Sequence, residues 1–170
     1  GIAVPAGVAW LRTSDRAYLI TDEVHGAQPL STLAPRLVLT PSALTPVALA
    51  VARLLGDLFT AGVDVHDLSP KNLLLRTTAT GAEATLCDFD GIRCRRRLPV
   101  ARMWRGLAQV NDVVPQVPLR ARLRVLLVLK RRIPALRGPG GAARVRDLTA
   151  RRAHKTLAPR AAQAVAAWGV

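Results

Sequence analysis

An α+β fold, mainly helical and carrying short β-hairpins, is predicted by three observations. Val47, Val51, Leu54, Leu55, Leu58 and Phe59 recur at helical spacing. Two short β-prone runs, Leu73 to Thr77 and Ala84 to Cys87, flank a glycine-containing turn. After Gly91, further apolar residues at helical spacing are broken by Pro115, Pro118 and Pro134. With 170 residues, 50% of them hydrophobic, the chain is long enough to bury one core, and this composition excludes disorder throughout.

Taken in order, Val8 to Leu11 reads as a strand that ends in the polar turn Thr13-Ser14-Asp15, and Ala17 to Thr21 reads as its partner, a hairpin with a buried, mostly apolar body. Leu30 to Leu39 reads as a short helix or turn. Thr45-Pro46 then predicts a helix start, with threonine as N-cap and proline at the first helical position, where its missing N–H costs nothing. Gly62, able to adopt positive φ, closes that helix. The next strands, 73–77 and 84–87, join through Thr80 to Glu83. Val100, Met103, Trp104, Leu107, Ala108 and Val110 predict a helix, and Leu119, Leu123, Leu126 and Leu127 the apolar face of another. The end is Ala/Arg-rich and weakly amphipathic, read as a marginal helix or a mobile tail. Trp10, Trp104 and Trp168 read as packing residues, and His25 and His154 as surface residues.

The charge is divided unevenly. Residues 1–90 hold 6 basic and 9 acidic side chains, residues 91–170 hold 19 and 2, and the whole chain is +14. Two readings of the basic half stay open: a surface for anionic lipid or an acidic substrate, or arginine used wherever a solvated cation is tolerated. Nucleic acid is disfavoured as partner, because no aromatic residues interleave with the arginines on a predicted sheet. No run of 18 apolar residues lacks a charge or proline, and no secretory signal is evident, so a cytoplasmic protein, at most peripheral to a membrane, is expected. Cys87 and Cys94 are read as reduced thiols rather than a disulfide or zinc site. The first residue, Gly1, leads us to expect that the chain begins inside a longer protein.

Two stretches carry chemistry: Val65-His66-Asp67-Leu68-Ser69-Pro70-Lys71-Asn72 and Cys87-Asp88-Phe89-Asp90-Gly91. The strands between them form a hairpin, so Asp67 and Asp88 should meet in space although 21 residues apart. Phosphoryl transfer consists mostly of positioning and charge neutralisation. In that chemistry Asp67 accepts or orients the proton of an acceptor hydroxyl, while Asn72 and Asp88 offer oxygens to Mg2+, a hard cation. Lys71 supplies positive charge, and Pro70 stiffens the loop. Arg93, Arg95, Arg96 and Arg97 follow directly and could hold an anionic acceptor, or form a solvated face.

From Tyr18 to about Arg132 the chain resembles the C-terminal lobe of the protein-kinase-like fold. Within it the chain most resembles the bacterial lipopolysaccharide kinase (Kdo/WaaP) family. That likeness rests on His66 to Asn72, on Asp88-Phe89-Asp90 running into arginines, and on Trp104-Arg105-Gly106-Leu107-Ala108-Gln109-Val110-Asn111. The resemblance implies ATP and Mg2+ as cofactors and a glycan or glycolipid acceptor. It also implies a hinge at Thr21, Asp22 and Val24 that meets adenine, with Asp67 and Lys71 as catalytic residues. The implied division is 1–24 as the end of the N-terminal lobe and hinge, 25–137 as the C-terminal lobe, and 138–170 as the tail.

Departures qualify the resemblance. Val65 stands where a histidine usually braces the loop, with His66 as its expected substitute. Ser69 replaces the lysine of many protein kinases, and Asp90 the glycine of Asp-Phe-Gly. No glycine-rich loop or strand lysine precedes Lys71, so the N-terminal lobe is expected to be largely missing and this chain alone inactive. The competing readings are a kinase-like scaffold that binds anions or membrane without catalysis, and another kinase-like protein or small-molecule kinase.

Overall fold

The computed structural model describes residues 2–14, 17–37, 41–112 and 117–153; His154, Trp168 and Pro115 lie outside them. Strands β1 (Gly7–Arg12) and β2 (Ala17–Thr21) pair antiparallel. Of the expected apolar body of this hairpin, Ile20 is half exposed, and the side chains of Val8, Trp10, Leu11, Tyr18 and Leu19 lie outside the description. Strand β3 (Gln28–Pro29) and helix α1 (Leu30–Leu37) follow.

Helix α2 (Pro41–Thr60) is the centre of the core. It begins at Pro41, four residues before the predicted N-cap Thr45, and Pro46 lies inside it. The apolar stripe explains the extension: Leu44, one turn upstream of Ala48, is as buried as the residues below it, and that burial offsets the backbone hydrogen bond that Pro46 cannot donate. Val51, Leu54, Leu55, Leu58 and Phe59 are all buried. Each contributes about 1.5–3 kcal/mol relative to exposure. Its length and apolarity would suffice to cross a membrane, but packing against the strand Gly81–Leu86 and the helix Leu119–Arg132 accounts for them. Gly62 ends the helix region as predicted, at φ +72°, and a Cβ there would collide with the Arg95 carbonyl oxygen.

Strand β4 (Val63–Asp64) pairs with β7 (Arg93–Cys94). Between them lie a 3₁₀ turn (Pro70–Asn72) and the strands β5 (Leu73–Thr78) and β6 (Gly81–Leu86), paired in register from Leu73↔Leu86 to Thr78↔Gly81. The turn is therefore shorter than predicted, with Ala79 and Thr80 at its tip. Strand β3 adds to β5, giving the order β3-β5-β6. Leu73, Leu75 and Leu86 face the core with no more than 1% exposure. The residues that precede β5 and follow β6 are thus held at one end of a rigid hairpin.

Helices α3 (Val100–Asp112) and α4 (Leu119–Arg132) cover α2 and the loop before β5. The buried face of α3 is the predicted one, Met103, Trp104, Leu107 and Ala108. That of α4 is Ala121, Leu126 and Leu129, while Leu119 and Leu127 are exposed. The apolar spacing predicts a stripe of Leu119, Leu123, Leu126 and Leu127; the actual stripe is rotated because Ala121 and Leu129, eight residues apart, fix which side meets α2. A second 3₁₀ turn (Pro134–Leu136) leads to helix α5, residues 141–153.

Candidate active site

The 3₁₀ turn forms because Pro70 presets φ at its first position and the Asn72 N–H donates to the Ser69 carbonyl. It turns the Asn72 side chain back toward the loop it came from. Asn72 is buried, and its Nδ2 donates to the Asp67 carbonyl oxygen at 2.9 Å, to Asp67 Oδ2 at 3.4 Å and to Asp88 Oδ2 at 3.1 Å. The three residues read as one cluster from sequence are therefore brought together around one amide. Lys71 joins them, with Nζ 3.2 Å from Asp67 Oδ2 while most of its side chain stays in solvent.

Asp88 is fixed from its own loop as well. Its Oδ1 accepts the Asp90 N–H at 2.9 Å, an Asx-type turn that an aspartate favours. Gly91 follows at φ +69°, and its Cα lies so close to His66 that a Cβ would come within 2.8 Å of the His66 Cβ. The two motif loops thus touch through a residue that only glycine fills. Next to them Cys87 donates its S–H to the Asn72 carbonyl oxygen at 3.4 Å. Burial, and then the neighbouring Asp88 charge, push the thiol's pKa up, so it stays neutral and inert. Cys94 is exposed and both thiols are free. No cluster of three His, Cys, Asp or Glu ligands exists among the described residues. The oxygens that converge on Asn72 Nδ2 are those of two carboxylates and the Asp67 carbonyl, donors suited to a hard cation rather than zinc.

The model of the lipopolysaccharide kinase (Kdo/WaaP) family matches residues 1–110. The chain belongs to the lipopolysaccharide kinase family. Among solved structures, WaaP in complex with acyl carrier protein matches with a TM-score of 0.71 at 24% identity, over 91% of this chain and 69% of that one. That likeness shows the fold, a kinase-like one. No curated protein matches the chain.

In this lipopolysaccharide kinase family chain the brace of the loop around Asp67 comes from an unexpected residue. His66 has an exposed side chain, so it does not replace the histidine missing at Val65. Gln109, on α3 and 3% exposed, does so from outside the loop: its Nε2 donates to the His66 carbonyl at 2.7 Å and its Oε1 accepts the Leu68 N–H at 3.2 Å. The backbone on both sides of Asp67 is thereby clamped. The available sequence signal was a glutamine on the apolar face of a helix, which burial obliges to find partners. Ser69 is also buried, and its Oγ has no partner among the described residues.

The four arginines part company. Arg95 donates its Nε to buried Asp64 at 3.0 Å, with Arg102 at 3.9 Å from the same carboxylate oxygen. It locks β7 to β4. Arg93, Arg96 and Arg97 are exposed. Thr21 ends β2 opposite Gly7, and the Asp22 N–H donates to the Ala6 carbonyl at 2.8 Å. Val24 accepts from the Ala27 N–H in the turn that leads to β3, and so to the sheet that carries Asn72 and Asp88 on its end. A separate cavity of about 460 Å³ opens between α2, α3, α4 and α5, lined by Val47, Val51, Leu107, Leu126 and Val145 among others. None of Asp67, Asn72 or Asp88 borders it.

Proposed function

We propose that this chain carries the acceptor and metal half of an ATP-dependent phosphotransferase that moves the ATP γ-phosphate to a hydroxyl of a glycan or glycolipid. The observation that carries the proposal is the convergence of Asp67 and Asp88 on the buried amide of Asn72, at 3.4 and 3.1 Å. Asp67 takes up or orients the proton of the acceptor hydroxyl, held in place by Gln109 through the backbone. Asp88 and Asn72 would hold Mg2+, which neutralises phosphate charge when bound. Lys71 adds a cation beside Asp67. The stretch Thr21 to Val24 would meet adenine through backbone groups other than the Asp22 N–H, which donates to Ala6, and the Val24 carbonyl, which accepts from Ala27. Exposed Arg93, Arg96 and Arg97 are suited to an anionic acceptor at the cytoplasmic face of a membrane.

The protein, given γ-labelled ATP, Mg2+ and dephosphorylated lipopolysaccharide, should place label in the saccharide. Label in a protein acceptor such as casein, with none in lipopolysaccharide, would contradict the acceptor assignment. Acyl carrier protein, the partner named for the WaaP structure, is a second partner we carry to this chain. The apolar cavity favours it, since an alkyl chain finds its chemistry there. Co-purification with acylated but not unacylated carrier tests it.

A further inference from the structure

We infer that helix α5 completes the acceptor side of the site and that Arg152 is a positioning residue for Asp67. This rests on the reading of Asp67 as the residue that handles the acceptor proton. Arg152 lies with Nη2 3.7 Å from Asp67 Oδ1 and Nε 3.1 Å from Asp112 Oδ2. Its guanidinium therefore bridges the last residue of α3 and the catalytic loop, 85 residues away in sequence.

The bridge ends a row of contacts that docks α5 on α3. At the start of the row Trp104 stands so near Gly141 that a Cβ there would come within 3.0 Å of its ring, and Arg144 lies over the ring at 5.7 Å. Further along, Asn111 Nδ2 donates to Thr149 Oγ1 at 3.0 Å. Asp112 and Arg152 follow. Partners rise together along both helices, so the two run side by side in the same direction, and Arg152 can only arrive beside Asp112. One turn back on α3 sits Gln109, which clamps the backbone of the loop. Helix α3 thus serves both the main chain around Asp67, through Gln109, and its side chain, through Arg152.

The consequence is a carboxylate with a cation facing each oxygen. Lys71 and Asn72 hold Oδ2, and Arg152 faces Oδ1. A carboxylate held at both ends does not rotate away from an arriving hydroxyl, and orientation of this kind carries a large share of catalysis. The planar fork suits the task, since one guanidinium can address two carboxylates in fixed directions.

The test uses the full-length protein with Arg152→Gln and Arg152→Lys. Arg152→Gln should lower kcat between about 10- and 100-fold with KM for ATP unchanged, because an oriented group is misplaced while nucleotide binding is untouched. Arg152→Lys, which keeps the charge, should recover most of the loss, and both variants should melt near the wild type. Hydrogen exchange provides an arm independent of activity: in Arg152→Gln, amides of 66–72 and of 141–153 should both exchange faster, and in Arg152→Lys neither should. An unchanged kcat in Arg152→Gln, equal losses in both variants together with a lower melting temperature, or faster exchange confined to 141–153 would each overturn the inference. A wild type that transfers no phosphate sinks the proposed function instead, and the exchange arm still decides the role of Arg152.

Discussion

At Gly91 the backbone conformation and the packing make the same demand. Its φ is +69°, and His66 occupies the space a side chain would need. An alanine there costs about 1–2 kcal/mol for the left-handed conformation alone, and relief of the contact pushes the Asp88 loop away from the Asp67 loop. Gly91→Ala should therefore lower phosphotransfer at least tenfold while the protein stays folded, as circular dichroism would report; unchanged activity would mean that the loops need not touch. Asn72 shows how far a single residue could be read from sequence. Its role beside Asp67 and the stiffening of the loop by Pro70 were legible, and the 3₁₀ turn with Pro70 brings the two residues together. That its amide lies between both carboxylates depends on the hairpin register, which only the paired strands reveal.

Among the elements, α2, the β5–β6 hairpin and the apolar face of α3 were legible, because each has a strong periodic signal bounded by proline or glycine. What escaped was decided by partners distant in sequence. The start of α2 moved to Pro41 because Leu44 is buried, the face of α4 rotated to follow Ala121 and Leu129, and Arg95 went to Asp64 across the β4–β7 pair. Gln109 belongs to the same class. Replacing it by leucine leaves the buried Leu68 N–H without a partner and strips one from the half-buried His66 carbonyl, at a cost of about 1–3 kcal/mol. Gln109→Leu should thus lower both the denaturation midpoint and kcat, whereas a variant as stable and active as the wild type would remove Gln109 from the site.

For the molecule as a whole, the uneven charge now has a partial structural address. Some of the basic half is spent internally: Arg95 on Asp64, Arg132 on Asp57, and Arg152 on Asp112 and Asp67. Arg93, Arg96 and Arg97 remain exposed just after the Asp88 loop, where an anionic acceptor under the proposed function would gain most from them. The Ala/Arg-rich stretch read as a marginal tail includes α5, a helix whose apolar periodicity is weak because polar and small residues, Gly141, Thr149 and Arg152, dock it. Family membership and the kinase-like fold rest on the same core that places Asp67, Asn72 and Asp88 together. The most direct measurement of that placement is the initial rate of γ-phosphate transfer by the full-length protein with Asp67→Asn and Asp88→Asn. Each should fall by roughly 10²–10⁴-fold, as expected when a proton-handling group or a magnesium ligand is lost. Retention of most of the rate by either variant would contradict the assignment of this cluster as the phosphotransfer site.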